Sequence, residues 1–80
     1  MIELEVGGFY KVTGYEMSAL DGYIHVLDIS DGFVTIESYE PSLGSIISEN
    51  LMKSCLFLSQ NFFKYERIHI DEMQFRLMSL

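Results

Sequence analysis

Few side chains in this sequence could do chemistry: one thiol, Cys55, two imidazoles, His25 and His69, and twelve carboxylates. The carboxylates are most suggestive in DGYIHVLDISDGFVTIESY, residues 21–39, where Asp21-Gly22 is echoed by Asp31-Gly32. Aspartates close before a glycine invite a calcium loop. Such a loop needs oxygen ligands at its first, third and fifth positions, glycine at the sixth and a glutamate at the last. With Gly32 as that glycine, the first position is Leu27 and the last is Ser38, so the ligand set fails. His25-x-x-Asp28 does not share a strand face, because residues three apart have opposite parity. His69-x-Asp71 does share one, but two ligands are too few for a zinc site. The sequence therefore predicts no metal and no cofactor.

Nucleophilic catalysis fares no better. A nucleophile needs a base beside it. Cys55 falls on an apolar stripe, which predicts a buried, inert thiol. No serine sits in a G-x-S-x-G elbow, and Gly7-Gly8 belongs to neither a phosphate-binding loop nor a dinucleotide fingerprint. Carboxylates are plentiful, but no pair of them is marked as an acid and a base. The expectation is a protein that is not an enzyme.

Charge is more informative. The net charge is −7, and it is unevenly placed. Residues 1–40 hold eight acids against one base, Lys11, whereas residues 41–80 hold four of each. Direct nucleic-acid binding is not expected, because phosphates demand a basic patch. An anionic membrane surface is disfavoured for the same reason. A basic protein partner would be attracted. The opening MIELEVGG lacks the basic and apolar regions of a signal peptide, and the longest unbroken apolar run, Cys55-Leu56-Phe57-Leu58, is far too short to cross a bilayer. One thiol in a small chain suits a reducing compartment. These features predict a soluble, cytoplasmic, single domain spanning residues 1–80.

The elements that must position these groups can be read from periodicity. Ile2, Leu4, Val6, Tyr10 and Val12 share one parity, while Glu3, Glu5, Lys11 and Thr13 share the other. That pattern predicts a half-buried strand, bent by a bulge at Gly7-Gly8. Asp31-Gly32 predicts a type I′ hairpin turn. Its register pairs 30 with 33, 29 with 34, 28 with 35, 27 with 36 and 26 with 37. Pro41 ends the third strand, and SLGS is a loop. Over residues 48–67, Leu51, Cys55, Leu58, Phe62 and Tyr65 form one helical stripe, with Phe57 alone among polar neighbours. Residues 68–71 and Met73 to Met78 alternate like strand, a short terminal helix capped by Asp71 being the alternative.

The predicted fold is α+β. An antiparallel sheet of about four to five strands carries one long amphipathic helix on one face, in the order β-β-β-α-β. The alternative is a small SH3-like barrel with a shortened helix.

In this arrangement Glu3, Glu5, Asp28 and Glu37 project from the outer sheet face together with Val26, Phe33 and Tyr39. Such a face is ordinarily just solvated. Yet carboxylates on a sheet are held at regular spacing, which can imitate a row of phosphates, and here they are mixed with apolar groups as in a binding patch. In size, acidity and lack of a catalytic signature the chain resembles small phage-encoded inhibitors of host enzymes or host defence, including anti-CRISPR proteins. The resemblance is one of composition and assigns no residue a role. It implies a protein that binds and inhibits or modulates a basic, nucleic-acid-handling partner, and the mixed chemistry of the outer face makes those seven residues the expected contact surface. A second expectation is a small-ligand or nucleotide binder with Tyr10, Tyr23 and Tyr39 lining a pocket, as a monomer or between the protomers of a homodimer. A third is a regulatory subunit that docks through its helix.

Overall fold

Asp31 and Gly32 both take positive φ, 52° and 78°, as a type I′ hairpin requires. They join β2 (Gly22–Ser30) to β3 (Phe33–Glu40) in a computed structural model that describes residues 2–14, 22–41 and 44–78. The connection ahead of Asp21-Gly22 lies outside the described residues. Next to the turn the register is the expected one, with Ser30 opposite Phe33, Ile29 opposite Val34 and Asp28 opposite Thr35. Beyond it, Val26 pairs with Ile36 and His25 with Glu37. Leu27 is thus an extra residue bulged out of the ladder, which corrects the expected pairs 27 with 36 and 26 with 37. The cause is face sorting. A flush ladder would put Ile24 and Val26 on the face of Asp28. The bulge returns both to the face of Val34 and Ile36, where all four are buried.

β1 (Phe9–Gly14) lies beside β2 and pairs on its other side with β5 (Phe63–Ile68), both antiparallel. Lys11 stands opposite Glu66 in that second ladder, an attractive cross-strand pair. Residues 2–5 are not strand, which corrects the single bent strand expected from parity. The chain turns at Val6-Gly7, where Gly7 has φ 83°, and a Cβ on Gly8 would come within 2.8 Å of the Tyr10 ring. Glu5 N–H, just ahead of the turn, donates to Tyr10 Oη at 2.8 Å, and two bonds hold the start of the segment. Ile2 N–H donates to Gln60 Oε1 at 2.9 Å, and Gln60 Nε2 donates back to the Ile2 carbonyl at 2.8 Å. The Gln60 amide thereby does what a neighbouring strand would do.

The long helix expected over residues 48–67 does not form. Ser45–Met52 is instead β4, antiparallel to β3, and only Lys53–Ser59 is helical, as α1. Gly44, at φ 67°, closes the loop from β3, and the β-branched pair Ile46-Ile47 favours strand. Pairing puts Leu51 beside Val34 and gives the outer edge of β3 its hydrogen-bond partners. A helix could not have supplied those. The stripe phase is corrected as well: α1 buries Leu56, whereas Cys55 and Leu58 are exposed, as is Phe62 beyond it.

The last helix is α2 (Glu72–Leu77), which takes the place of strand alternation at Met73 to Met78. Asp71 accepts from Gln74 N–H at 2.8 Å, and Gln74 Oε1 accepts from Asp71 N–H at 3.2 Å, a complete capping box.

The sheet order is β4-β3-β2-β1-β5, with the short α1 between β4 and β5 in the chain, so the shortened helix is that of the barrel alternative and not the long helix of the first expectation. One face carries the main core of Tyr10, Ile24, Val26, Val34 and Ile36 under Leu56 of α1. The opposite face carries Phe9 and His25 under Phe75 of α2. Among the described residues, no helix is long and apolar enough to cross a membrane.

Candidate functional site

With seven helical residues where twenty were expected, α1 covers one end of the main apolar face. The other end is an open groove of about 450 Å³. Its floor is Val12, Ile24, Ile36 and Ile47, and its walls include Leu51, Leu56, Phe63 and Tyr65. The polar groups are few. Ser59 Oγ and Tyr65 Oη lie 2.8 Å apart, and Ser38 Oγ donates to the Ile47 carbonyl at 3.4 Å. Cys55 stands exposed on the wall, which corrects the expectation of an inert thiol within the core. Glu40 and Glu49 are exposed carboxylates at the groove, and no lysine or arginine lines it. The site is therefore apolar with a negative rim. It can hold an apolar body and attract a cation.

The seven residues expected to form one acidic face do not share a surface. Glu3 and Glu5 lie ahead of β1, both exposed, and Glu5 pairs with Arg67 at 3.3 Å. Arg67 in turn sits over the Tyr10 ring, 5.4 Å from its centroid. Asp28 is exposed and accepts from Ser30 Oγ at 3.2 Å. Phe33 is 47% exposed at the hairpin tip, opposite Met52. Tyr39 is half-buried and stacks on Tyr23 at 6.4 Å. Val26 is 0% exposed, so it belongs to the core and offers no surface to a partner. Glu37 is also buried, beneath α2. The Leu27 bulge moved Val26, and the docking of α2 covered Glu37. Asp28 and Phe33 remain near one another on the surface at the tip. Of the three tyrosines expected around a pocket, Tyr23 and Tyr39 border the groove, but the ladder puts both side chains on the face of His25 and Glu37, and Tyr10 is in the core.

The covered cluster is a buried charge site. Arg76 Nη2 donates to Glu37 Oε1 at 2.7 Å, and that bond, with the Glu37 charge, raises the Arg76 guanidinium above its ordinary value. Glu37 Oε2 faces His25 Nδ1 at 3.7 Å, too far for a direct hydrogen bond. The His25 ring is stacked on Phe9 at 3.9 Å and met edge-on by Phe75. The Glu37 carboxylate and the His25 ring are buried, and through Glu37 the half-exposed Arg76 ties α2 to the sheet.

Glu49 and Glu40 were missed as site residues, because Glu49 read as the polar side of a helix. The signal that could have found β4 was Gly44 ahead of Ile46-Ile47. Among the described residues, no three His, Cys, Asp or Glu side chains come together as a metal would need. Comparison with family models, with curated proteins and with solved structures finds no match to this chain.

Proposed function

We propose that this protein is a non-enzymatic binding module that captures a basic protein partner and modulates it by occupying its cationic surface. The observation that carries this reading is the apolar groove with Glu40 and Glu49 at its rim and no base in its lining. The net charge of −7 extends the attraction beyond the groove. Basic surfaces are the footprint of proteins that handle nucleic acid, so that class is the first to screen, with inhibition of nucleic-acid binding as the readout. Exposed charges are screened over about 8 Å at physiological salt, so the partner should bind more weakly as salt rises. The test is capture and titration with Glu40→Lys/Glu49→Lys. The double variant should fold normally and associate far more slowly. Unchanged binding by a folded double variant would remove the groove from the mechanism.

A small apolar cation is the second reading. It is favoured by the groove's size, since small-molecule sites span about 300–1,000 Å³. Such a ligand would raise the melting temperature in a protein-free metabolite fraction, and Tyr65→Ala would weaken it. A protein partner gives no such shift.

A further inference from the structure

β4 is an edge strand, and no described element pairs with its outer side. Which of its backbone groups face outward follows from the ladder. Lys53 N–H donates to the Gly32 carbonyl at 2.8 Å, and antiparallel pairs alternate between bonded and non-bonded. With Met52 opposite Phe33, the residues bonded to β3 are then Leu51, Glu49, Ile47 and Ser45. Ile46, Ser48, Asn50 and Met52 aim their N–H and C=O groups away from the sheet.

The two edges of this sheet are not alike. β5 is six residues long and carries Lys64, Glu66 and Arg67, the charges that ordinarily discourage strand addition. β4 is eight residues long, has neither proline nor lysine, and has Glu49 as its one charge. Glu49 is on the groove side of the strand, in line with Ile36, and Ile47 and Leu51 flank it on that side. An open backbone ladder therefore runs along the rim of the apolar groove.

We infer that β4 takes up an extended segment of a basic partner protein as an added strand. This rests on the proposed binding function and specifies how the partner is read. Main-chain bonds to Ile46, Ser48 and Asn50 hold the guest without regard to sequence. Every second guest side chain then falls on the groove side. Beside Ile47 and Leu51 those side chains are apolar, and beside Glu49 the side chain is lysine or arginine. The guest pattern is apolar-x-basic-x-apolar. Charge argues against a second copy of this chain as the guest, because it would bring another −7 to a negative rim.

The probe is a short capped peptide in which threonine alternates with valine, arginine and valine. Two analogues accompany it, one with backbone N-methyl groups on the residues facing β4 and one with glutamate for arginine. Binding to the full chain is followed by titration and by amide hydrogen exchange. The parent peptide should slow exchange at Ile46, Ser48 and Asn50 more than at Ile47 and Leu51, whose amides are already bonded. N-methylation should weaken binding about tenfold or more, and so should glutamate. If the N-methylated peptide binds equally well while Glu49→Gln still weakens the parent, strand addition is wrong and the groove function stands. If no peptide binds and Glu49→Gln changes nothing in partner capture, both are wrong. Protection of the β4 edge that appears without peptide and vanishes on dilution would assign the edge to a second copy and overturn the inference.

Discussion

Arg76 on the last helix reaches across to Glu37 at the centre of β3, with 2.7 Å between Nη2 and Oε1. Next to Arg76, Phe75 is wholly buried against Phe9 and His25. One helical turn thus covers the centre of this sheet face, over Phe9, His25 and Glu37, with a ring and a charge. Phe75→Ala should cost about 3–5 kcal/mol in urea unfolding, a large share of the stability a domain this size can have. Arg76→Met should lower the melting temperature more than Glu72→Gln, although both acids touch that guanidinium, because only Glu37 would be left buried without its donor. Equal effects would show that Glu37 is not held as described.

The phase of α1 gives a paired test. Leu56 is buried and Leu58 is exposed, two positions apart on one short helix. Leu56→Ala should cost about 2–5 kcal/mol, and Leu58→Ala within about 0.5 kcal/mol of nothing. The long-helix stripe predicts the reverse order.

Cys55 offers a chemical check on the same element. Its thiol is exposed at the groove wall, so a maleimide should label it in the native protein without prior unfolding. The bulky adduct should also obstruct binding in the groove. Labelling that proceeds only under denaturing conditions would contradict this placement.

Backbone conformation makes the turns asymmetric to substitution. Gly32 and Gly44 both have positive φ, and a Cβ at either would meet open space, so strain alone sets the cost. Gly32→Val and Gly44→Val should each destabilise by about 1 kcal/mol or more, since β-branched residues resist that region. Asp31→Asn should be nearly silent, and added calcium should leave the melting temperature unchanged.

What could be read from the sequence was local. Asp31-Gly32 carries its own turn geometry and was visible within a few residues, whereas the cap at Asp71 was only the alternative to a strand over Met73 to Met78. β4 was not, because Leu51, Cys55 and Leu58 repeat as a helix would and the edge of β3 that outcompetes that helix is formed elsewhere. The bulge escaped notice for a related reason. Val26 and Leu27 are both apolar, and only the demands of the whole face decide which is extra. The candidate site suffered from both errors. Tyr23 and Tyr39 border the groove with their side chains on the other sheet face, Glu49 was assigned to a helix surface, and the burial of Glu37 depends on Arg76, which is 39 residues away.

β1 is the early strand that must wait. It lies between β2 and β5, and the segment before it is bonded to Gln60, 58 residues on from Ile2. During synthesis β1 can pair with β2 soon after both emerge, but its second edge stays open until β5 follows. Chains that depend on such distant closures fold more slowly than those with local contacts, and their open edges are exposed to neighbours meanwhile. A nascent chain of this protein therefore carries two free edges, at β1 and at β4, and only the first is destined to be sealed from within. Stopped-flow refolding should show Gln60→Ala leaving the early phase unchanged and accelerating unfolding, the signature of a contact made last.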